Sequence, residues 1–282
     1  MNGAGLDACG KLPHVKPDIG APPPAWKRLR FEAAAAAADE PSLAGYINAA
    51  ILAHDTLCDA LAYHLAEKIG DSTIGTQQVR DILSDACDSH DELVNAAEAD
   101  MMAVLERDPA CRGLLQPFLF FKGFQALQTH RIANVLWREG RETLAFHFQS
   151  RGSELFGVDI HPAARIGRGV MLDHATDITI GETTVVGDGC SILQGVTLGG
   201  TGKEVGDRHP KIGRGVLVSV GAKVLGNIHV GDEAKVAAGS VVLKDVPAHC
   251  TVAGVPAKIV SGPSCCQPAR TMDQSLPDAA DD

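Results

Sequence analysis

Aliphatic residues recur every six positions along much of the second half of the chain. The unbroken series is Ile212, Val218, Val224, Val230, Val236 and Val242. Four positions after each member comes a second small or aliphatic residue. A period of six is too short for a helix-pair repeat and too regular for hairpins. It predicts a narrow triangular coil of short parallel strands, with three hexads per turn and roughly five turns over residues 160–247.

Two segments break this period. Across HATDIT (174–179) the repeat shifts by two residues, and GGTGKEVGDRHPK (199–211) contains no aliphatic hexad. A solenoid that tolerates an interruption usually does so for a loop with a function. Each segment contains a histidine, and the second also contains an arginine. His174 and the neighbours Arg208 and His209 are therefore candidate site residues, although histidines on solvent faces are common.

The first half of the chain has helical spacing instead. Apolar residues three and four apart predict helices through Leu43–His54, Leu57–Leu65, Val79–Ala86, Leu93–Leu105 and a Phe-rich segment after Pro117. The four predicted regions are a loose Pro/Gly-rich extension (1–31), a helical oligomerisation domain (32–156), the repeat domain (157–260) and a flexible acidic tail (261–282).

Composition supports the division. All eight Phe, both Trp and both Tyr lie at or before Phe156, whereas 19 of the 30 Gly lie after it. A narrow coil has room only for slim inward side chains, and glycine suits its corners. The net charge of −10 argues against nucleic acid as a partner. No apolar run is long enough for a membrane span, and no secretory signal is recognisable, so we expect a cytoplasmic protein.

The eight cysteines show no metal-ligand spacing, which favours reduced thiols in a cytosolic protein. Cys190 falls on an inward-facing small position of the repeat, so we expect a core residue rather than a nucleophile. Cys265 and Cys266 are adjacent in the predicted tail.

Several motifs together resemble the serine O-acetyltransferases. They are DIHPAARIGRGVMLDHAT, SILQGVTLGGTGK, GDRHPKI and GVPAKIV. The resemblance runs from about Glu40 to Ile259. It implies an α+β, multidomain fold, in which an all-α helical domain precedes a left-handed parallel β-helix of hexapeptide repeats. It also implies transfer of an acetyl group from acetyl-CoA to the L-serine hydroxyl, in cysteine biosynthesis.

The resemblance assigns roles to individual residues. His174 would be the general base and Asp159 the carboxylate that orients it. Asp173, assisted by Asp100 from the helical domain, would hold the serine ammonium group. The serine carboxylate would be bound by Arg208, with His209 beside it. For acetyl-CoA, the residues lining the groove would be Ala238, Lys244 and Lys258.

The resemblance also implies partners. The family forms trimers, and pairs of trimers form hexamers; L-cysteine inhibits many members by occupying the serine site. Many members dock an O-acetylserine sulfhydrylase through a C-terminal tail ending in Ile, whereas this sequence ends in Asp282. No metal is expected.

Three alternatives stay open on the sequence alone. One is another hexapeptide-repeat acyltransferase, acting on a sugar or an antibiotic. Another is a metal-dependent hydratase with three histidines between subunits, although His161, His174 and His209 do not form a clear stack. The last is a non-catalytic scaffold for a sulfhydrylase.

Overall fold

A computed structural model describes residues 24–202, 205–263 and 267–276. The first 23 residues, Cys265 and Cys266, and the last six residues of the tail lie outside the described residues. The helices are α1 (Ala25–Asp39), α2 (Pro41–Ile47), a π-helical turn (Asn48–Leu52), α3 (Leu57–Ile69), α4 (Thr76–Ser89), α5 (Asp91–Arg107), α6 (Leu115–Leu119), α7 (Lys122–Arg138), α8 (Glu142–Phe156) and α9 (Pro268–Thr271).

The second half is a β-helix of three parallel sheets, closed by one antiparallel strand. Sheet A contains β1 (Val158–Ile160), β4 (Ile178–Ile180), β7 (Thr197–Gly199), β10 (Lys223–Leu225) and β13 (Val241–Val242). Sheet B contains β2 (Arg165–Ile166), β5 (Val185–Val186), β8 (Lys211–Ile212) and β11 (His229–Val230). Sheet C contains β3 (Met171–Asp173), β6 (Ser191–Leu193), β9 (Leu217–Val218), β12 (Lys235–Val236), β14 (Thr251–Gly254) and the antiparallel β15 (Ala257–Ser261). The predicted fold class is confirmed.

The strand register shows where the period fails. Thr179 pairs with Thr197, eighteen residues later, which is three hexads. Asp159, one coil earlier, pairs with Thr179 twenty residues later, so that coil has two extra residues. Val185 pairs with Lys211, twenty-six residues later, so the coil containing 199–211 has eight extra residues. Both interruptions predicted from the sequence are insertions into an otherwise regular coil.

The interior of the coil is filled by small aliphatic side chains, as the absence of aromatics predicts. Ile192, Val218 and Val224 are fully buried, and so is Cys190, which confirms its place in the core. Close packing of slim side chains leaves the corners as the places where polar residues can project.

The helical domain is joined to the first coils by polar contacts. On α7, Arg131 donates to the carbonyls of Ile166 and Gly167, and Asn134 donates to the carbonyl of Pro162. Arg107, at the end of α5, donates to the carbonyl of Cys190. These contacts satisfy carbonyls at the coil corners, so the helices are held in a defined position beside the coil.

The structure differs from the predicted boundaries at both ends. Helix α1 begins at Ala25, inside the segment predicted to be loose, because Leu29 and Ala33 are buried against the helical core. At the other end, α9 packs on the coil with Ala269 buried, and the Ala269 carbonyl accepts from Ser191 Oγ at 2.7 Å. The described part of the chain has no helix of the length and apolarity that a bilayer crossing requires.

Candidate active site

The two-residue insertion forms the corner between β3 and β4. Asp173 pairs with Leu193 of the next coil, and the Asp177 amide donates to the Gly157 carbonyl at 2.8 Å. Three residues therefore lie between Asp173 and Asp177. His174, Ala175 and Asp177 all have positive φ, near +53°, +60° and +62°. A side chain in this region costs roughly 1–2 kcal/mol, so surrounding contacts must hold the corner in place.

Helix α7 supplies those contacts. Lys122 Nζ donates to Thr176 Oγ1 at 2.5 Å. At the next residue, a Cβ added to Gly123 would lie 2.0 Å from the Leu172 carbonyl oxygen and 3.1 Å from the Ala175 Cβ. Only glycine lets the helix approach the strand this closely. The first turn of α7 therefore fixes the loop that carries His174.

His174 lies at the mouth of a cavity of about 400 Å³ between the helical domain and the coil. Its polar lining includes Asp108, Asp173 and Lys122, whose ammonium group donates to Thr176, and aromatic side chains such as Phe121 and Phe124 line it as well. His174 Nε2 is 4.0 Å from Asp173 Oδ1, and 74% of the His174 side chain is exposed. The cavity thus combines an imidazole with two carboxylates.

The surroundings of Asp173 disfavour its ionised form. Burial raises the pKa of Asp173; the neighbouring His174 opposes that shift and Asp108 adds to it. A carboxyl group whose ionised form is disfavoured by burial and by a second acid gains most from a cationic ligand. The cavity is therefore suited to an ammonium group.

Asp100, which the sequence analysis placed at the ammonium group, does not line this cavity. That assignment is wrong. Asp100 is 1% exposed, and its carboxylate accepts from Arg131, Gln128 and the Val170 amide at 2.8–2.9 Å. Burial raises the pKa of Asp100, and the Arg131 guanidinium opposes this shift. Asp100 is a structural ion-pair partner in the interior, and the acid that α5 presents to the cavity is Asp108.

The two acids should respond differently to the same substitution. Asp100→Asn should lower the free energy of unfolding by about 3–5 kcal/mol, because it leaves Arg131 buried without its counter-charge. Asp108→Asn should leave stability within about 0.5 kcal/mol of wild type, since Asp108 is only half-buried at a helix end. Denaturant unfolding of both variants measures the difference. Equal stability losses would contradict these separate roles.

The eight-residue insertion forms a second corner, between β7 and β8. It folds back over the preceding coil, where the Arg208 and His209 amides both donate to Thr183 Oγ1 at 3.1 Å. The Arg208 guanidinium pairs with Glu182 at 2.7 Å and stays about 30% exposed. The guanidinium also donates to the Gly206 carbonyl at 3.0 Å, and its remaining N–H donors can still bind a carboxylate ligand.

His209 is a structural support for this corner in the single chain. It is 7% exposed, and its Nδ1 accepts from the Thr183 amide at 3.2 Å. A Cβ on Gly181 would lie 2.1 Å from the ring, so the imidazole packs directly on the glycine backbone. Burial lowers the pKa of His209, and adjacent Arg208 adds to the effect. The ring is therefore neutral near pH 7.

Asp159 lies between these corners, on the outer surface of sheet A. Gln149 Nε2 of α8 donates to one of its oxygens at 2.7 Å. Asp159 borders a different hollow from that of His174, lined by α8 side chains such as Phe146 and Ser150. One copy of the chain therefore does not bring Asp159, His174 and Arg208 into a shared cleft. All three instead lie on sheet A or on its two long edges.

The predicted coenzyme residues divide between the same edges. Ala238 is exposed at the turn from β12 to β13, on the edge that carries His174. Exposed Lys244 follows β13, on the edge that carries Arg208. Lys258 is exposed on β15, at the end of sheet C. Within one chain these three do not form a common pocket.

Comparison with known proteins was made for the whole chain. The family model "Serine acetyltransferase, N-terminal" matches residues 25–129. The serine acetyltransferase of Salmonella typhimurium is 51% identical over 249 residues, which is 88% of this chain and 91% of the relative. The chain belongs to the serine acetyltransferase family. Its members are acyltransferases, so the predicted enzyme class is confirmed.

Solved serine acetyltransferase structures have the same fold. A serine acetyltransferase in complex with cysteine has a TM-score of 0.88 and 48% identity, and the match covers 89% of this chain and 98% of that one. The serine acetyltransferase of Brucella abortus in complex with coenzyme A has a TM-score of 0.84 and 48% identity, with 86% and 98% covered.

Three residues of the candidate serine acetyltransferase site were not predicted from the sequence. Asp108 lies just beyond the predicted helix Leu93–Leu105, although polar residues at helix ends often line clefts. Lys122 and Gly123 carry no chemical signature in the sequence. Among the described residues, no cluster of three or more His, Cys, Asp or Glu side chains could hold a metal ion, and none of the described cysteines lines the His174 cavity.

The close approach at Gly123 predicts a strong effect of one methyl group. In Gly123→Ala the new Cβ overlaps a backbone oxygen, which cannot move as a flexible side chain would. We expect at least a tenfold loss of acetyl-transfer rate as the His174 corner shifts, with a stability loss of about 1–3 kcal/mol. Gly45→Ala is the matched control, because a Cβ on Gly45 would meet nothing within 4 Å. A Gly123→Ala enzyme as active and stable as Gly45→Ala would refute the assigned packing.

Proposed function

We propose that this chain transfers the acetyl group of acetyl-CoA to the hydroxyl of L-serine, giving O-acetylserine and CoA, with His174 as general base. The observation that carries the proposal is the cavity lined jointly by His174, Asp173 and Asp108. It holds a proton acceptor for an alcohol beside two acids suited to an ammonium group. Family membership supplies the acceptor class.

The serine hydroxyl is a poor nucleophile until a base removes its proton. An imidazole does this well near neutral pH, and such a base contributes roughly 10²–10⁴ in rate. A carboxylate on the other ring nitrogen fixes the tautomer and stabilises the imidazolium that forms. We assign this role to Asp159, because Gln149 engages only one of its oxygens in the described contacts. The acetyl group passes directly to serine in a ternary complex.

Serine is a zwitterion, so its site needs groups of both charges. Asp173 and Asp108 would bind the ammonium group; Asp108 takes the role that the sequence had given to Asp100. Arg208 would exchange Glu182 for the serine carboxylate, which it can bind through two hydrogen bonds. His209 would hold the Arg208 loop on the coil and lie beside the same carboxylate.

We infer that the complete site forms between copies of the chain. His174 and Arg208 lie on opposite edges of sheet A, and His174 is largely exposed in one copy. Three copies with sheet A turned towards a common axis would bring one edge of each copy against the other edge of its neighbour. Asp159, on the surface of sheet A, would face the same seam. A neighbouring copy would also exclude water from the imidazole.

The same arrangement gives acetyl-CoA a groove. Ala238 of one copy would face Lys244 of the next, so a small side chain would accommodate the pantetheine arm and a cation would meet the phosphates. Lys258, at the end of sheet C, would add a second cation. The Brucella abortus relative in complex with coenzyme A supports this ligand.

The expectations about inhibition, oligomeric state, location and partner enzyme rest on different observations. The relative in complex with cysteine supports L-cysteine as an inhibitor at the serine site. Exposed Phe31, Leu43 and Tyr46 on α1 and α2 form an apolar surface through which two trimers could pair as a hexamer. Cytoplasmic location and a sulfhydrylase partner stay predictions from the sequence alone.

A thiol-release assay tests the proposed function. Purified full-length chain with acetyl-CoA and L-serine should release CoA thiol, and added L-cysteine should slow the release. A galactoside-type acceptor serves as the control and should give only the background rate. Thiol release that does not depend on serine, or that is faster with the galactoside, would contradict the proposal.

A further inference from the structure

Two cysteines face each other in the helical hairpin of α3 and α4. Cys58 lies twelve residues before Gly70, the first residue after α3, and Cys87 lies twelve residues after Gly75, which precedes α4. Residues at equal distances from the turn of an antiparallel helix pair meet across it. The turn is tight, because a Cβ on Gly70 would lie 2.8 Å from Thr76. Both side chains accordingly pack on the same hydrophobic core of the helical domain.

The environments of the two thiols differ. Cys87 is 4% exposed within the helical core, whereas Cys58 is half-buried at the start of α3. The hydrogen bond from the Cys58 thiol lowers the pKa of Cys87, and the same bond and burial raise the pKa of Cys58. Asp59 and Asp88 flank the pair and repel anions. The pair therefore has one nucleophilic sulfur and one proton donor, reachable best by a small neutral reagent.

We propose that Cys58 and Cys87 form a modification site for a neutral hydroperoxide, which converts the two thiols into a disulfide between α3 and α4. The Cys87 thiolate attacks one peroxide oxygen, the O–O bond breaks, and the leaving hydroxide takes a proton to become water. Cys58 then attacks the resulting sulfenic sulfur, the S–O bond breaks, and the hydroxide leaves as water with the Cys58 proton. Two thiols and one hydrogen peroxide thus give one disulfide and two waters. A thiol reductant reverses the change.

The disulfide should change stability more than activity. It closes a loop of about thirty residues and thereby restricts the unfolded chain. The His174 cavity is lined by residues of α5, α7 and β3, among others, and by none of α3 or α4. We therefore expect the melting temperature to rise by several degrees while the rate of acetyl transfer stays within twofold.

Peptide mapping of the full-length chain tests the site directly. After exposure to hydrogen peroxide, mass spectrometry should find the peptides of Cys58 and Cys87 joined, and dithiothreitol should separate them. Cys190 is the internal control: it is fully buried, burial raises its pKa to about 12, and it should stay a free thiol. In Cys58→Ser, oxidation should stop at a Cys87 sulfenic acid that dimedone traps.

Two results would overturn the proposal. The first is that Cys58 and Cys87 stay unlinked while either sulfur is oxidised to a sulfinic acid. The second is that both stay reduced at peroxide concentrations that label Cys190. In the supporting case, the Cys58→Ser, Cys87→Ser double variant should lose the peroxide-dependent rise in melting temperature that wild type shows.

Discussion

The His174→Ala enzyme should lose roughly 10²–10⁴ in kcat, because no other imidazole lines the cavity beside Asp173 and Asp108. The KM for serine should change little, since the charged groups of serine are bound by other residues. This difference between kcat and KM is specific to a general base, because a residue that only binds substrate would change KM as well. Steady-state thiol release at varied serine concentration measures both constants.

His229→Ala is the matched control for that variant. His229 lies exposed on β11 of sheet B, away from the β3–β4 corner that carries His174. Its removal should leave kcat within twofold of wild type. A His174→Ala enzyme that loses less than tenfold in kcat would exclude His174 as the base.

Arg208→Ala should raise the KM for serine by roughly 10–100-fold. A charge-assisted hydrogen bond to a carboxylate contributes about 1.5–3 kcal/mol, and no second arginine lies on the described 206–211 loop to replace it. The KM for acetyl-CoA should change much less, because coenzyme recognition is assigned to Ala238, Lys244 and Lys258. Arg208→Lys should recover only part of the loss, since an ammonium group cannot bind both carboxylate oxygens in a planar fork.

The exposed arginine of the neighbouring coil gives the control. Arg214 pairs with Asp232 at 2.9 Å and has no part in the proposed site. Arg214→Ala should leave the KM for serine unchanged. If both arginine variants have the serine KM of wild type, the carboxylate of serine is bound elsewhere.

The repeat was predictable because a narrow coil restricts each inward position. The hexad series from Ile212 to Val242 corresponds to successive short strands, and the two breaks in the series are the two insertions. The glycines at the corners and the absence of aromatic residues from the coil followed from the same restriction on side-chain size. The insertion at His174 could be located to the segment HATDIT (174–179), since the aliphatic series resumes on either side of it with a shift of two residues.

The helical contribution was less predictable. Asp100 lies three residues after Ala97 and four before Val104, so helical spacing alone puts it on the buried stripe with them. The family motif alone does not reflect that spacing, and Asp108 lies just beyond the last turn of α5, outside the helical pattern. Lys122 and Gly123 act through close contact with the β3–β4 corner, and such contact depends on how two domains pack rather than on a local pattern.

The sequence also could not show that the site is divided between the two edges of sheet A. A register of eighteen residues gives strands but does not say which corners of the coil face a neighbour. His174 and Arg208 are thirty-four residues apart, and only the sheet order shows that they border the same sheet from opposite sides.

Mixing two inactive variants tests the two-copy site most directly. His174→Ala and Arg208→Ala chains, co-expressed in equal amounts, should form mixed trimers in which some seams combine an intact His174 with an intact Arg208. Random assembly of a cyclic trimer restores roughly a quarter of all sites. We predict thiol release near that fraction of the wild-type rate. Activity no higher than that of either variant alone would place both residues in the same copy and contradict the account.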